Sequence, residues 1–244
     1  MGTLIGIDVC GPYQGIIDWD KAKAAGCAFA FIRCHYQGGK KDDKFDRNWA
    51  ETKRVGIARG AYGWVLPGKN QTEQADLFMG YLGDDLGELA PACDFEEFDG
   101  IPTFGELRTF IERVETLSKR LPYIYTSPGF WSKGAGYANQ TWAAKYPLWQ
   151  AQWTAAANPT LNAPFTKWAF WQYSSKGNRK ASTFGAAGFD IDINRFNGDY
   201  EDFQKLIKVV EQEKPDPDLK VKIARLEGRL DVFEEWARSI GFKG

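Results

Sequence analysis

The stretch CDFEEFD, residues 93–99, carries four acids in the six positions from Asp94 to Asp99, directly after the small apolar run Ala90, Pro91, Ala92 and Cys93. In an extended segment alternate side chains share a face, so Asp94 and Glu96 point one way and Cys93 and Phe95 the other. Glu97 has the opposite parity to Glu96 and is read as a surface charge. Two further apolar runs carry acids at their ends: Asp8 closes LIGID, and Asp190 and Asp192 lie in GFDIDI. Each acid alone has an ordinary explanation, as a loop cap, a solvated turn or an oxygen ligand for a hard cation. Three acid-bearing strand ends brought together fit a narrower chemistry. Cleavage of a glycosidic bond needs one carboxyl that keeps its proton for the leaving oxygen and another that keeps its charge, and close carboxylates separate those roles by repulsion. The single histidine, His35, makes no nucleophile triad with a serine, and Cys10, Cys27, Cys34 and Cys93 form no metal-binding pair. No metal and no cofactor are expected, and the cysteines read as small buried thiols.

These acids need a frame that places strand ends side by side. Runs of strand character occur at 4–9, 28–33, 60–65, 91–96, 122–127, 147–153, 168–174 and 188–193, with helical periodicity at about 18–26, 46–57, 70–83 and 103–120. Strand and helix alternate, which predicts a parallel sheet with crossover helices. Eight strands predict closure into a barrel, and the weak helices after 127 make it irregular. The fold class is therefore α/β, an irregular TIM-like (β/α) barrel. Closure makes the first and last strands neighbours, so acids from three strands can converge at one mouth.

The 31 basic and 32 acidic residues in 244 leave no broad charged face for nucleic acid or an anionic membrane. Aromatic residues make up 15% of the chain, including ten Trp and ten Tyr, a content suited to stacking on the flat faces of sugars. A barrel domain is expected over 1–208, a linker over 209–218 where Pro215 and Pro217 sit among charges, and a helix over 219–244. In that last segment Leu219, Ile223, Leu226, Leu230, Phe233, Ala237 and Ile240 alternate at spacings of four and three, a heptad seam flanked by Lys222 and Arg229 on one side and Glu227 and Glu234 on the other. The seam serves either docking onto the barrel or self-association; its narrow stripe and its charges favour a parallel homo-oligomer through residues 219–240.

The opening GIDVCGPYQGIIDWDKAKAAGCAFAFIR, then KDDKFDRNWAETKRVGIARGAYGW, CDFE, YIYTS, WQAQW, AFWQYS and DIDINRF, together resemble glycoside hydrolase family 25, the muramidases of bacteria and phages, from residue 4 to about 200. The resemblance implies hydrolysis of the β-1,4 bond between N-acetylmuramic acid and N-acetylglucosamine in peptidoglycan. By position, Glu96 matches the general acid, Asp94 its partner at the substrate acetamido group or transition state, and Asp8 and Asp192 the remaining acids. Tyr62, Trp64, Tyr125, Trp149, Trp171 and Gln172 match positions along the sugar cleft. Cys10 departs from a usual serine, and GWVLPG from an aromatic ending, which makes the match at Trp64 looser than at Tyr62. The leading expectation is a phage or prophage endolysin or a lysozyme carried on a larger particle, and the alternative is a non-catalytic glycan-binding or structural virion protein of the same fold; with no secretory leader, the chain is expected to be made in the cytoplasm and to reach the wall by a separate lysis partner or on a virion.

Overall fold

The computed structural model describes residues 3–97, 100–176, 180–188 and 190–212; the expected heptad helix and most of its linker lie outside these residues. Nine strands form one sheet: β1 (Ile5–Val9), β2 (Cys27–Tyr36), β3 (Lys40–Lys41), β4 (Ala58–Trp64), β5 (Ala92–Asp94), β6 (Tyr123–Thr126), β7 (Leu148–Ala151), β8 (Phe170–Ser174) and β9 (Asp192–Phe196). The strand order β1-β9-β8-β7-β6-β5-β4-β2, with β1 also paired to β2, closes eight of them into a barrel, and β3 hangs on the edge of β2. The chain is thus a mixed α/β fold around an eight-stranded closed barrel.

One expectation is corrected. The sheet is not wholly parallel: β1, β2 and β4 to β8 run in one direction, but β9 is antiparallel to both β8 and β1. The last strand also starts later than expected, at Asp192. Asp192 therefore opens β9 where Asp8 approaches the end of β1, and the two residues are direct partners in the ladder. The acids meet at one mouth because the final strand reverses. A parallel final strand ending in Asp192 would have reached the same mouth by the opposite route.

Helices α1 (Gly11–Gln14), α2 (Trp19–Ala24), α3 (Phe45–Val55), α4 (Gln71–Leu82), α5 (Phe104–Ser118), α6 (Pro128–Lys133) and α7 (Tyr200–Gln212) surround the barrel. Their ends follow local chemistry. Asn70 caps α4 by accepting from the amides of Thr72 and Glu73, Thr103 and Glu106 form a reciprocal capping box on α5, and Gly56 ends α3 in the left-handed region at φ 67°. After β6 the connections shorten to α6 and single 3-10 turns, in line with the weak periodicity there. Helix α7, not expected from the sequence, runs to Gln212 and into the stretch read as linker.

The barrel has two interiors stacked along its axis. The lower one is aromatic: Phe29, Phe31, Tyr123, Phe170 and Phe196 fill it, and Phe203 of α7 plugs the end, 5.8 Å from Phe29 and 5.3 Å from Phe196 between ring centres. Glycines make room for this packing, since a β-carbon on Gly6 would lie 2.4 Å from the Phe29 ring and one on Gly60 2.5 Å from Phe31. The upper interior is polar and holds the carboxylates. A second apolar layer, including Cys34, Cys93, Phe95, Phe110 and Trp131, packs between strands and helices. All four cysteines are free and buried.

On this outer layer His35 of β2 is fully buried, with its ring 6.3 Å from that of Phe78. Burial holds its imidazole down to about 4, only partly offset by the Trp64 backbone. The unfolded chain takes up that proton from about pH 6.5, so stability drains away as pH falls from there to about 4. Replacing His35 by Leu is expected to flatten that slope in melting temperature against pH; an unchanged slope would place the loss elsewhere.

Candidate active site

Strand β5 is only three residues long, but the extended course continues past it: the Phe95 amide donates to the Tyr125 carbonyl at 2.9 Å. The alternation read from the sequence therefore holds. Cys93 and Phe95 enter the outer core, Asp94 is buried at the barrel mouth, and Glu96 is half-buried there. Glu97 is exposed with the Lys133 ammonium 3.9 Å away, as expected of a surface charge, and Asp99 lies outside the described residues. Asp190 is exposed beside the cluster rather than in it.

Asp8, Asp94, Glu96 and Asp192 come together at this mouth, and the Asp8 charge acts on each of the other three. Their surroundings differ, which sets them apart chemically. Burial pushes Asp8 up to about 6, held back by amide donors from Asn194 (2.6 Å) and Gln172 (2.9 and 3.1 Å to its two oxygens). Burial and then the Asp8 charge raise Glu96 to about 7. Burial, with the charges of Asp8, Glu96 and Asp190, raises Asp192 to about 9. Asp94 is pushed well above the usual range by burial and by Glu96, with a Trp64 hydrogen bond and the Arg33 charge acting against the shift. At neutral pH the cluster thus holds protons on some members and charge on others.

The expected cleft residues divide. Tyr62, Trp64 and Tyr125 face the barrel interior at the acid mouth; Trp64 bonds Asp94, and the Tyr125 hydroxyl donates to Gln172 Oε1 at 3.2 Å. Trp149 lies beneath the acids as a floor, stacked on Phe31 at 4.1 Å, with its Nε1 donating to Asn194 Oδ1 at 2.7 Å. Trp171 is a correction. Its neighbours Phe170 and Gln172 both point inward, so strand alternation turns Trp171 outward, against Trp168, Tyr173 and the Arg195 guanidinium.

Three site residues were not anticipated. Arg33, inward on β2 after Phe29 and Phe31, is buried and pairs with Asp42 at 2.8 Å; its guanidinium lies over the rings of Tyr36 and Trp64. Asn194 is two residues past Asp192 on the same face of β9 and holds Asp8. Trp153, just beyond β7, bonds Gln172. Asn194 follows from counting alternate positions out from Asp192, and Arg33 from the inward Phe29 and Phe31 once β2 is placed in the barrel. A pocket of about 640 Å³ opens at the other end of the barrel, where Tyr123, Pro147 and Ala169 begin or precede their strands; no carboxylate is among its described lining residues.

Because the acids keep burial without mutual neutralisation, they weigh on stability. Asp192, raised in the fold, contributes stability that is present below its unfolded value near 3.8 and lost as pH rises toward 9. Asp192→Asn is expected to melt higher than wild type at pH 8, by an amount on the order of 1 kcal/mol or more, and to match it near pH 4. Melting curves that differ equally at both pH values would contradict this origin.

A barrel whose mouth gathers carboxylates with separated proton affinities, beside aromatic rings, defines a glycoside hydrolase. The family model described as "Glycosyl hydrolases family 25" matches residues 7–181, and the chain belongs to that family. It is 36% identical over 206 residues to Lysozyme M1 of Streptomyces globisporus, covering 79% of this chain and 67% of that protein. It is 26% identical over 221 residues to the N,O-diacetylmuramidase of Arthroderma benhamiae, covering 85% and 88%. Among solved structures, the bacterial lysozyme from Streptomyces coelicolor superposes with a TM-score of 0.73 at 30% identity, covering 86% of this chain and 99% of that one.

Proposed function

We propose that the chain is a muramidase that hydrolyses the β-1,4 bond between N-acetylmuramic acid and N-acetylglucosamine in peptidoglycan, with Glu96 as general acid. The observation that carries this reading is the convergence of Asp8, Asp94, Glu96 and Asp192 with Glu96 raised to about 7. An acid of that strength keeps its proton to near neutrality and still yields it to a leaving oxygen. Membership of family 25 and the lysozyme and diacetylmuramidase relatives support the substrate.

In the proposed reaction Glu96 gives its proton to the glycosidic oxygen as the bond from the anomeric carbon to that oxygen breaks. Positive charge grows on the sugar ring, and a carboxylate nearby stabilises it. Asp8 suits that role because two amide donors favour its charged form. Asp94 suits the acetamido group: it is buried, and its oxygen Oδ1 has no hydrogen-bond partner of its own. One water supplies hydroxide to the anomeric carbon, and its remaining proton restores the acid. Incubation with purified, insoluble peptidoglycan should clear turbidity and release new reducing ends; clearing without reducing ends would point to a different bond.

The barrel is an irregular relative of the TIM plan, supported by seven parallel strands and departing from it at β9. The endolysin reading rests on family resemblance, and is tested by whether expression lyses cells only together with a membrane-disrupting partner. The domain division at 208 and parallel self-association through 219–240 rest on the heptad seam alone. Two copies joined this way would hold two clefts on one polymer. Sedimentation as a monomer at micromolar concentration would end that reading.

A further inference from the structure

We infer that Trp153 has two linked roles in this site: its exposed indole face stacks on a pyranose ring of the substrate, and its N–H locks Gln172 in the orientation that holds Asp8. The inference rests on the muramidase reading above and names a positioning residue within it.

Among the described tryptophans Trp153 alone is mainly exposed, at 63%. A singly exposed ring needs no explanation by itself, but this one is not free to turn away, because its Nε1 donates to Gln172 Oε1 at 3.1 Å. The ring edge is tied into the acid cluster and the ring face is left to solvent. That arrangement suits a flat, apolar sugar face arriving beside the carboxylates.

The second role follows from counting donors and acceptors. A glutamine amide has one oxygen that accepts and one nitrogen that donates. Gln172 Oε1 receives both the Trp153 N–H and the Tyr125 hydroxyl, so Nε2 is the atom left to face Asp8, at 2.9 and 3.1 Å from its two oxygens. Asn194 repeats the pattern on the other side, with its oxygen taking the Trp149 N–H and its nitrogen donating to Asp8. Asp8 is thus clamped by two carboxamides, each set by a tryptophan. Trp149 is buried and fixed; Trp153 is at the surface, where substrate can press on it.

The charge state of Asp8 answers to several faces at once. Asp192 faces it from β9, Asp94 and Glu96 from β5 and its extension, Tyr62 from β4, Tyr125 from β6 and Cys10 from the exit of its own strand. Arg33 on β2 acts on Asp94, Cys10 and Tyr62 in the same group. None of these changes when Trp153 is replaced, so a change at Asp8 reads the clamp. Loss of a donor disfavours the charged form and raises the pH at which Asp8 ionises.

The test compares Trp153→Phe, which keeps a ring but no N–H, with Trp153→Ala, which keeps neither. On soluble peptidoglycan fragments Trp153→Phe should lower kcat about 2- to 10-fold, the worth of one hydrogen bond, with KM little changed. It should also move the acid limb of the kcat/KM profile to higher pH. Trp153→Ala should add a rise in KM of about tenfold. Carboxyl carbon NMR titration of Asp8 and binding of N-acetylglucosamine oligomers to the Glu96→Gln protein read the same two roles without turnover. Asp8 should titrate at higher pH in Trp153→Phe, and oligomers should bind more weakly to Trp153→Ala. If the wild type releases nothing from peptidoglycan, the muramidase reading fails while these two measurements still decide the inference. An unmoved Asp8 titration overturns the clamp, even with kcat lowered, and unweakened oligomer binding overturns the platform.

Discussion

Glu96→Gln should lower kcat/KM on peptidoglycan by about 10²- to 10⁴-fold, the usual worth of a positioned acid, with little change in KM. Glutamine keeps the shape and the polarity of the side chain but has no proton to give. The wild-type pH profile should carry the signature of the same group. Glu96, raised to about 7 by burial and by Asp8, must be protonated, so activity should fall above that value. Asp8, raised to about 6, must be charged, so activity should also fall below it. The result is a narrow bell with its top between about pH 6 and 7, and the basic limb should be absent from whatever residual rate Glu96→Gln retains. A broad plateau to pH 9 in the wild type would show that another group supplies the proton.

Asp94→Asn should cost nearly as much, about 10²- to 10³-fold in kcat, while making the protein more stable. The two effects have one cause. Asp94 is buried with one oxygen unpartnered, and burial and Glu96 raise it far above an ordinary carboxyl. In the unfolded chain it ionises freely, so at neutral pH folding is opposed by the difference, and an amide of the same shape removes that opposition. The gain in melting temperature should be present at pH 7 and fade toward pH 4, where the unfolded carboxyl is also protonated. The catalytic loss should persist wherever the wild type is active, because an amide can carry neither the charge nor the proton that a carboxyl exchanges beside the acetamido group. A protein that both works and melts like the wild type would remove Asp94 from the site. Stored strain of this kind is common where function needs unfavourable charge.

Much of the frame was legible because the chain is locally consistent. Branched and aromatic runs marked the eight barrel strands, and the helical period marked α4 and α5. The direction of β9 was not legible. Nothing in GFDIDINRF distinguishes a strand that leaves the mouth from one that arrives, since alternation reads the same both ways. Direction is fixed by the preceding connection, and the 3-10 turn Ala181–Phe184 leaves β9 to start at the mouth. Helix α7 was missed for a related reason: its apolar face, Phe203 and Leu206, makes sense only once a barrel end exists to be plugged.

Within the site, alternation was more informative than residue type. Carrying cleft residues over by position from the family resemblance admitted Trp171, which a count outward from Gln172 excludes. The same count finds Asn194 from Asp192, whereas Arg33 needed the structure to turn Phe31 inward first. Trp153 was beyond such counting, because it lies past the last residue of β7 and its direction depends on one hydrogen bond to another strand.

The most direct measurement is mass spectrometry of the fragments released from purified peptidoglycan by the wild type and by Glu96→Gln. Fragments with muramic acid at the new reducing end are expected from the wild type and almost none from the variant. Glucosamine at the reducing end, or equal release by both proteins, would contradict the proposed function.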